Sequence, residues 1–159
     1  MIETYSKNVT VPSQTAIPLN TVAIHKGCTV TKSGTSAIQL QKAGVYEVAV
    51  SAVAKLQSLA TTTTPTTTDD SNTTATALCN DSNVIAIQLA KDNVLQPNAY
   101  SAVTASNTTA LHPLNFVTLV QVSTNNSSCC CSSPVTIDII NECAAAIYDT
   151  VDVVVTKIC

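Results

Sequence analysis

The segment over residues 36–54 constrains the fold of this chain more than any other. Apolar and polar side chains alternate along it on both sides of a short turn at residues 42–44. Such a period of two places successive side chains on opposite faces of a β-strand. After the turn, Tyr46 and Val48 share one face, and Glu47 points to the other. We therefore expect a hairpin of two strands here, at the centre of a sheet protein.

The rest of the chain carries shorter runs of the same kind. Residues 9–24 are broken by Pro12 and Pro18, and proline in a strand is confined to edges, so this segment predicts one or two edge strands. Further strands are predicted at residues 28–32, 36–41, 45–55, 83–89, 100–104, 114–122, 135–141 and 150–158. No segment has the periodicity of a helix. The sequence predicts an all-β jelly-roll sandwich of about eight to ten strands.

A chain of 159 residues can form one domain with its own core. We assign a single jelly-roll domain to residues 9–159. Residues 1–8 show no pattern and predict an N-terminal arm ahead of the first strand, which is a candidate anchor. Two polar loops interrupt the domain, a Thr-rich loop at 60–82 and a Cys-rich loop at 123–133. We interpret the Thr-rich loop as a tolerated insertion on the outside of the sheet, with a receptor-facing tip as the alternative.

Seven cysteines are many for a chain of this size without a secretion signal. Cys129, Cys130 and Cys131 are consecutive and cannot easily all reach one tetrahedral ion, so we expect no structural metal site. One interpretation is that the thiols are free or paired by chance in loops. The other is a disulfide from Cys79 to one of the three consecutive cysteines, closed in an oxidising environment.

The composition excludes two classes of partner. Charged residues make up 11% of the chain, against roughly 25% in an average soluble protein, and the net charge is −3. Because phosphate binding needs clustered basic residues and the lysines here are scattered, we expect no nucleic-acid partner. No run reaches the roughly 18 apolar residues of a membrane span, and the first residues do not resemble a signal peptide. We expect a protein made in the cytoplasm, without membrane insertion, that buries part of its weakly charged surface against copies of itself.

No catalytic motif is present in the sequence. Nucleophilic catalysis needs a base beside a Ser or Cys, and the two histidines, His25 and His112, belong to no recognisable motif. The three glycines form no phosphate-binding loop. Glu47 and Asp138 alternate with apolar residues, which is typical of solvent-facing strand positions. We therefore expect no catalytic residue, no cofactor and no metal, and we predict that the protein is not an enzyme.

Five segments in chain order resemble the C1q/TNF-like jelly-roll domain of the bacterial and bacteriophage surface type. The chain is also similar to the C-terminal domain of collagen-like spore-surface glycoproteins. The five segments are Ala16-Ile-Pro-Leu-Asn20, Ile38-x-Leu40 with Gly44-x-Tyr46-x-Val48-x-Val50, Ile85-x-Ile87-x-Leu89, residues 135–141 and residues 151–158. The Thr-rich insertion, the Cys-rich loop and the single Phe depart from the family pattern. The resemblance implies a compact homotrimer around a threefold axis, with one sheet of each subunit facing the centre.

The resemblance also implies a function. Our leading hypothesis is a non-enzymatic structural protein on the surface of a particle, a bacteriophage capsid decoration or head-fibre protein that reaches the virion surface by lysis of the host. The alternatives are a spore coat or exosporium protein and a glycan- or cell-surface-binding module. The expected partners are further copies of the chain, a capsid or other particle protein and, under the last alternative, a host surface glycan. Tyr46 is the candidate residue for the trimer interface.

Overall fold

The structure, a computed structural model, describes residues 1–58, 83–123 and 134–159. These residues form eleven strands and no helix. The strands are β1 (Ile2–Val11), β2 (Thr15–Ala16), β3 (Thr21–His25), β4 (Val30–Ser33), β5 (Ala37–Leu40), β6 (Gly44–Leu56), β7 (Val84–Lys91), β8 (Val94–Thr104), β9 (His112–Val122), β10 (Val135–Asn141) and β11 (Ala146–Lys157). Because the described residues contain no helix, they contain no helix that could cross a membrane.

The strands form two antiparallel sheets that pack face to face. Sheet I has the order β3-β1-β11-β6-β9. Sheet II has the order β4-β5-β10-β7-β8, with β2 paired to β10. Consecutive strands alternate between the sheets along much of the chain, as in a jelly roll. The prediction of an all-β jelly-roll sandwich is confirmed.

The core lies between the inner faces of the two sheets. Along β6, the alternation seen in the sequence becomes an alternation of burial, because Tyr46, Val48 and Val50 are buried and Glu47 is exposed. The same alternation runs through β11, β10 and β5. Apolar burial on both inner faces is the main stabilising contribution of such a sandwich.

The predicted hairpin at residues 36–54 is wrong in its pairing. Strand β5 pairs with β4 and β10 in sheet II, whereas β6 pairs with β11 and β9 in sheet I. The turn at residues 42–44 therefore carries the chain from one sheet to the other. The physical reason is that alternation specifies which side chains share a face, but not which strand supplies the backbone hydrogen bonds.

The predicted N-terminal arm at residues 1–8 is also wrong. Residues 2–11 form β1, which lies inside sheet I between β3 and β11. Its inward positions include Thr4 and Ser6, which are buried but polar, so the strand lacks the apolar alternation that would have identified it. The Ser6 hydroxyl accepts a hydrogen bond from the Asn20 N–H at 2.7 Å. Because β1 is held in the sheet, it is not a free anchor.

The other strand predictions hold, although β4 and β5 are shorter than predicted and most of the remaining strands are longer. Strand β8 begins at Val94 and passes through Pro97, which an edge strand tolerates because its outer N–H groups have no partner in the sheet. The turn before it contains Asp92 and Asn93, both at positive φ, as a tight hairpin requires. The proline-broken segment 9–24 contributes β2 and also β3, which lies at the edge of sheet I as predicted.

The structure tests only some of the cysteine predictions, because several of the cysteines lie outside the described residues. The Thr-rich loop, nearly all of the Cys-rich loop, and the candidate disulfide of Cys79 with the three consecutive cysteines lie outside the described residues. Cys143 is disulfide-bonded, which the sequence analysis did not anticipate. Cys28 and Cys159 are free and exposed.

Candidate association surface

Large apolar side chains are exposed along one side of the sandwich. Strands β8 and β9 are the edge strands of sheets II and I and lie next to each other, and the Ser101 hydroxyl accepts a hydrogen bond from the Asn115 N–H at 3.2 Å. Most of the exposed large apolar side chains among the described residues belong to these strands or the residue before β9: Val94, Tyr100, Leu111, Val117 and Leu119. We call these five residues the apolar edge.

Strand β9 is apolar on both faces. Leu114, Val120 and Val122 point into the core, whereas Val117 and Leu119 point outward and are 66% and 63% exposed. A sheet with one solvated face ordinarily alternates apolar and polar side chains, and β9 departs from that pattern. The outward face of this strand therefore has the composition of a buried surface. The sequence signal for it is the run at residues 116–120, which is apolar at four of five positions, with Thr118 as the exception.

The outward face of sheet I extends this surface from the edge towards the middle of the sheet. The strand register places Val117 beside Ala49, and Ala49 beside Val154. All three point away from the core. Ser51 and Val53 follow Ala49 on the same face of β6. These small side chains make the middle of this face low in relief, and the exposed Glu47 lies at its end beside Leu119.

One buried carboxylate oxygen on this face has no hydrogen bond. Asp152 lies between Tyr5 and Ser51 in the register of sheet I. Its Oδ1 atom is shielded from solvent and has no hydrogen-bond partner among the described residues. Burial raises the pKa of this carboxyl group, and the Val153 N–H partly offsets the rise.

Tyr46 does not lie on this surface, so the predicted interface residue is wrong. Its side chain is 0% exposed and belongs to the core of its own subunit. The hydroxyl donates a hydrogen bond to the Lys42 carbonyl oxygen at 2.6 Å, and burial raises the pKa of the phenol. Tyr46 shares its face of β6 with Val48 and Val50, and that face is the inner one. The outward positions of the same strand, such as Ala49, are the ones that a neighbouring subunit can reach.

The described residues do not assemble a catalytic or metal-binding cluster. His25 is in β3 and His112 in β9, which are opposite edges of sheet I. The His25 ring bonds to the Val30 carbonyl at 2.9 Å, so it is occupied by a local contact. Within the described ranges, no three His, Cys, Asp or Glu side chains are grouped so that they could hold a metal ion. The acidic residue Glu47 is exposed, and Asp138 faces outward from sheet II.

No family model matches this sequence, and no curated protein matches it. Solved structures do match its fold. Eiger TNF from S. frugiperda matches with a TM-score of 0.62 at 10% identity, over 99% of this chain and 92% of that one. Murine APRIL at pH 5.0 matches with a TM-score of 0.60 at 7% identity, over 99% of this chain and 98% of that one. The fold is therefore a TNF-like jelly roll, in agreement with the resemblance of the five sequence segments.

Proposed function

We propose that this protein is a non-enzymatic structural module that acts as a homotrimer, with the outward face of sheet I and the apolar edge buried between subunits. The observation that carries the proposal is the exposure of Val117 and Leu119 on a long edge strand. A long, exposed, apolar edge strand favours uncontrolled pairing unless another surface covers it. Further copies of the chain supply such a surface, and closed rotational symmetry limits the assembly to a defined size.

Three further observations support self-association. The C1q/TNF-like resemblance implies trimers with one sheet facing the threefold axis. The low content of charged residues, 11%, leaves little repulsion between copies. The outward face of sheet I also carries Asp152, a partly buried acid whose Oδ1 atom has no hydrogen-bond partner among the described residues.

A substitution in the apolar edge tests this proposal. Val117→Lys places a charge at a position that is 66% exposed in the single subunit, so it leaves the fold intact but opposes burial between subunits. We expect sedimentation velocity to show single subunits and circular dichroism to show an unchanged sheet. The matched control is Thr35→Lys, an exposed turn residue that belongs to neither outward surface, and it should assemble like the unmodified protein. Equal assembly of both variants would contradict the proposal.

We further propose that the trimer is displayed on a bacteriophage particle, as a capsid decoration or head-fibre protein bound to a capsid protein. The support is the resemblance to surface-display domains together with a composition that offers neither a nucleic-acid surface nor an apolar membrane run. Mass spectrometry of purified particles tests it. We expect the protein on the particle in a copy number that is a multiple of three. Its absence from particles and presence in a spore coat would replace this assignment with the spore-surface alternative.

A further inference from the structure

A groove on the outer face of sheet II has the features of a binding site. Its volume is about 580 Å³, within the range of roughly 300–1,000 Å³ that is usual for small-molecule sites. Small or apolar side chains form much of its lining, including Ala16, Ala90 and Ile140. Two carboxylates, of Asp138 and Glu142, also line it, and none of the described lining residues is basic. The groove contains none of the five residues of the apolar edge, although Asn93 and Leu95, which line it, flank Val94.

Glu142 is the unusual residue of this groove. It is only 7% exposed, yet its carboxylate has no hydrogen-bond partner among the described residues. Its backbone is held, because the N–H donates to the Ala86 carbonyl at 2.9 Å and its own carbonyl accepts from the Ser13 hydroxyl at 3.4 Å. Burial raises the pKa of the carboxyl group. A partly desolvated carboxylate is harder to ionise than one in water, and a cation in the groove would stabilise its ionised form.

Asp138 supplies the second charge on the same face of β10. Ile140 separates the two acids, and a span of four extended residues places their Cα atoms roughly 13 Å apart. The Asp138 Oδ1 atom accepts a hydrogen bond from the Ser36 hydroxyl at 2.8 Å, which leaves the other oxygen available. Because metal ions require oxygen ligands at about 2.0–2.6 Å, carboxylates at opposite ends of the groove do not suit a single ion.

The surface between the two acids is apolar. The register of the sheet places Ala90 beside Asp138 and Ala16 beside Ile140. These side chains offer contact to methylene groups and no hydrogen bonds. The pattern is therefore an anionic group at each end of a narrow apolar strip. Its chemical complement is a flexible aliphatic chain that carries a cationic group at each end.

We propose that this groove binds a linear aliphatic polyamine, with one ammonium group at Glu142, another at Asp138, and the methylene chain over Ala16, Ala90 and Ile140. Each ammonium donates charge-assisted hydrogen bonds to a carboxylate, and these bonds are stronger than those between neutral groups. No covalent step is involved.

Calorimetry and thermal unfolding with spermidine test the proposal. We expect spermidine to bind and to raise Tm, and 1,6-diaminohexane, which has ammonium groups only at its ends, to bind as well. We expect hexylamine, with one ammonium group, to bind at least about tenfold more weakly than 1,6-diaminohexane, because one charge-assisted contact is lost. Glu142→Gln and Asp138→Asn should each weaken spermidine binding by about tenfold or more. Both substitutions preserve the size of the side chain. The use of two variants keeps the test valid if one of them fails to fold.

Asp149→Asn is the matched control, because Asp149 is an exposed acid outside the groove. It should bind spermidine like the unmodified protein. Three results would each overturn the proposal: no binding of spermidine at millimolar concentration, equal binding of hexylamine and 1,6-diaminohexane, or an equal loss of affinity in the control and in both groove variants. The last result would identify the binding as non-specific attraction to an acidic protein.

Discussion

Glu142 illustrates a residue whose role the sequence does not reveal. It follows a predicted strand and is one acid among several, so its position alone is typical of a solvated carboxylate. Its burial results from tertiary packing of the groove residues, which no local pattern encodes. Tyr46 gives the complementary case. The alternation predicts that it shares a face with Val48 and Val50, and that prediction is confirmed, but alternation does not distinguish the core face from the outward face.

The pKa of Glu142 leads to a prediction about stability and pH. Burial raises this pKa above the ordinary value of 4.5, so at pH values between 4.5 and the folded-state pKa the folded state holds a proton that the unfolded state has released. The contribution of Glu142 to stability is therefore greatest below pH 4.5 and falls as the pH rises through the folded-state pKa. Asp138 is the other titratable group lining the groove.

Glu142→Gln removes the loss of stability that accompanies the rise in pH, because glutamine does not ionise. We expect the variant to have a higher Tm than the unmodified protein at pH 7, and an equal or lower Tm near pH 3.5. Differential scanning calorimetry at the two pH values measures the difference. A Tm difference that does not change with pH would show that the carboxylate is not the cause.

Local sequence patterns predict where the strands lie along the chain better than they predict which strands pair with each other. The predicted strands over residues 45–55, 83–89 and 135–141 coincide with β6, β7 and β10 because their inward residues are large and apolar. Strand β1 was missed because Thr4 and Ser6 occupy inward positions. The turn before β6 was recognised, whereas its change of sheet was not, since that change depends on strands far away in the sequence.

The start of β6 leads to a second stability prediction. Gly44 has φ of +143°, and a Cβ atom there would lie 2.1 Å from the Cys159 carbonyl oxygen. Gly44→Ala must therefore displace the C-terminal residues that hydrogen-bond to Val45. We expect a loss of about 1–3 kcal/mol, measured by urea unfolding.

Gly34→Ala is the control for this change. Gly34 also has a positive φ, of +62°, but a Cβ atom at this position would meet nothing within 4 Å. Its substitution involves backbone strain without a clash, so the loss should be smaller than at Gly44. A larger loss at Gly34 would contradict the view that the C-terminus packs against the start of β6.

The assembled molecule depends on which strands lie at the edges of the two sheets. The low charge and the family resemblance predict self-association, but the predicted interface residue, Tyr46, lies in the core. The apolar side chains of β9 are evident in the sequence, but the exposure of Val117 and Leu119 is not, because it depends on whether another layer covers the outward face of sheet I. The double-faced apolar pattern of β9 was visible, yet it is equally typical of a strand buried between two layers.

The mass of the unmodified protein in solution tests the central claim most directly. Size-exclusion chromatography with multi-angle light scattering at micromolar concentration should report three times the 16.5 kDa of one chain, a mass that persists on dilution. This result is expected if, as proposed, the apolar edge of each subunit is covered by another copy. A mass of one chain, for a protein that circular dichroism shows to be folded, would contradict the account.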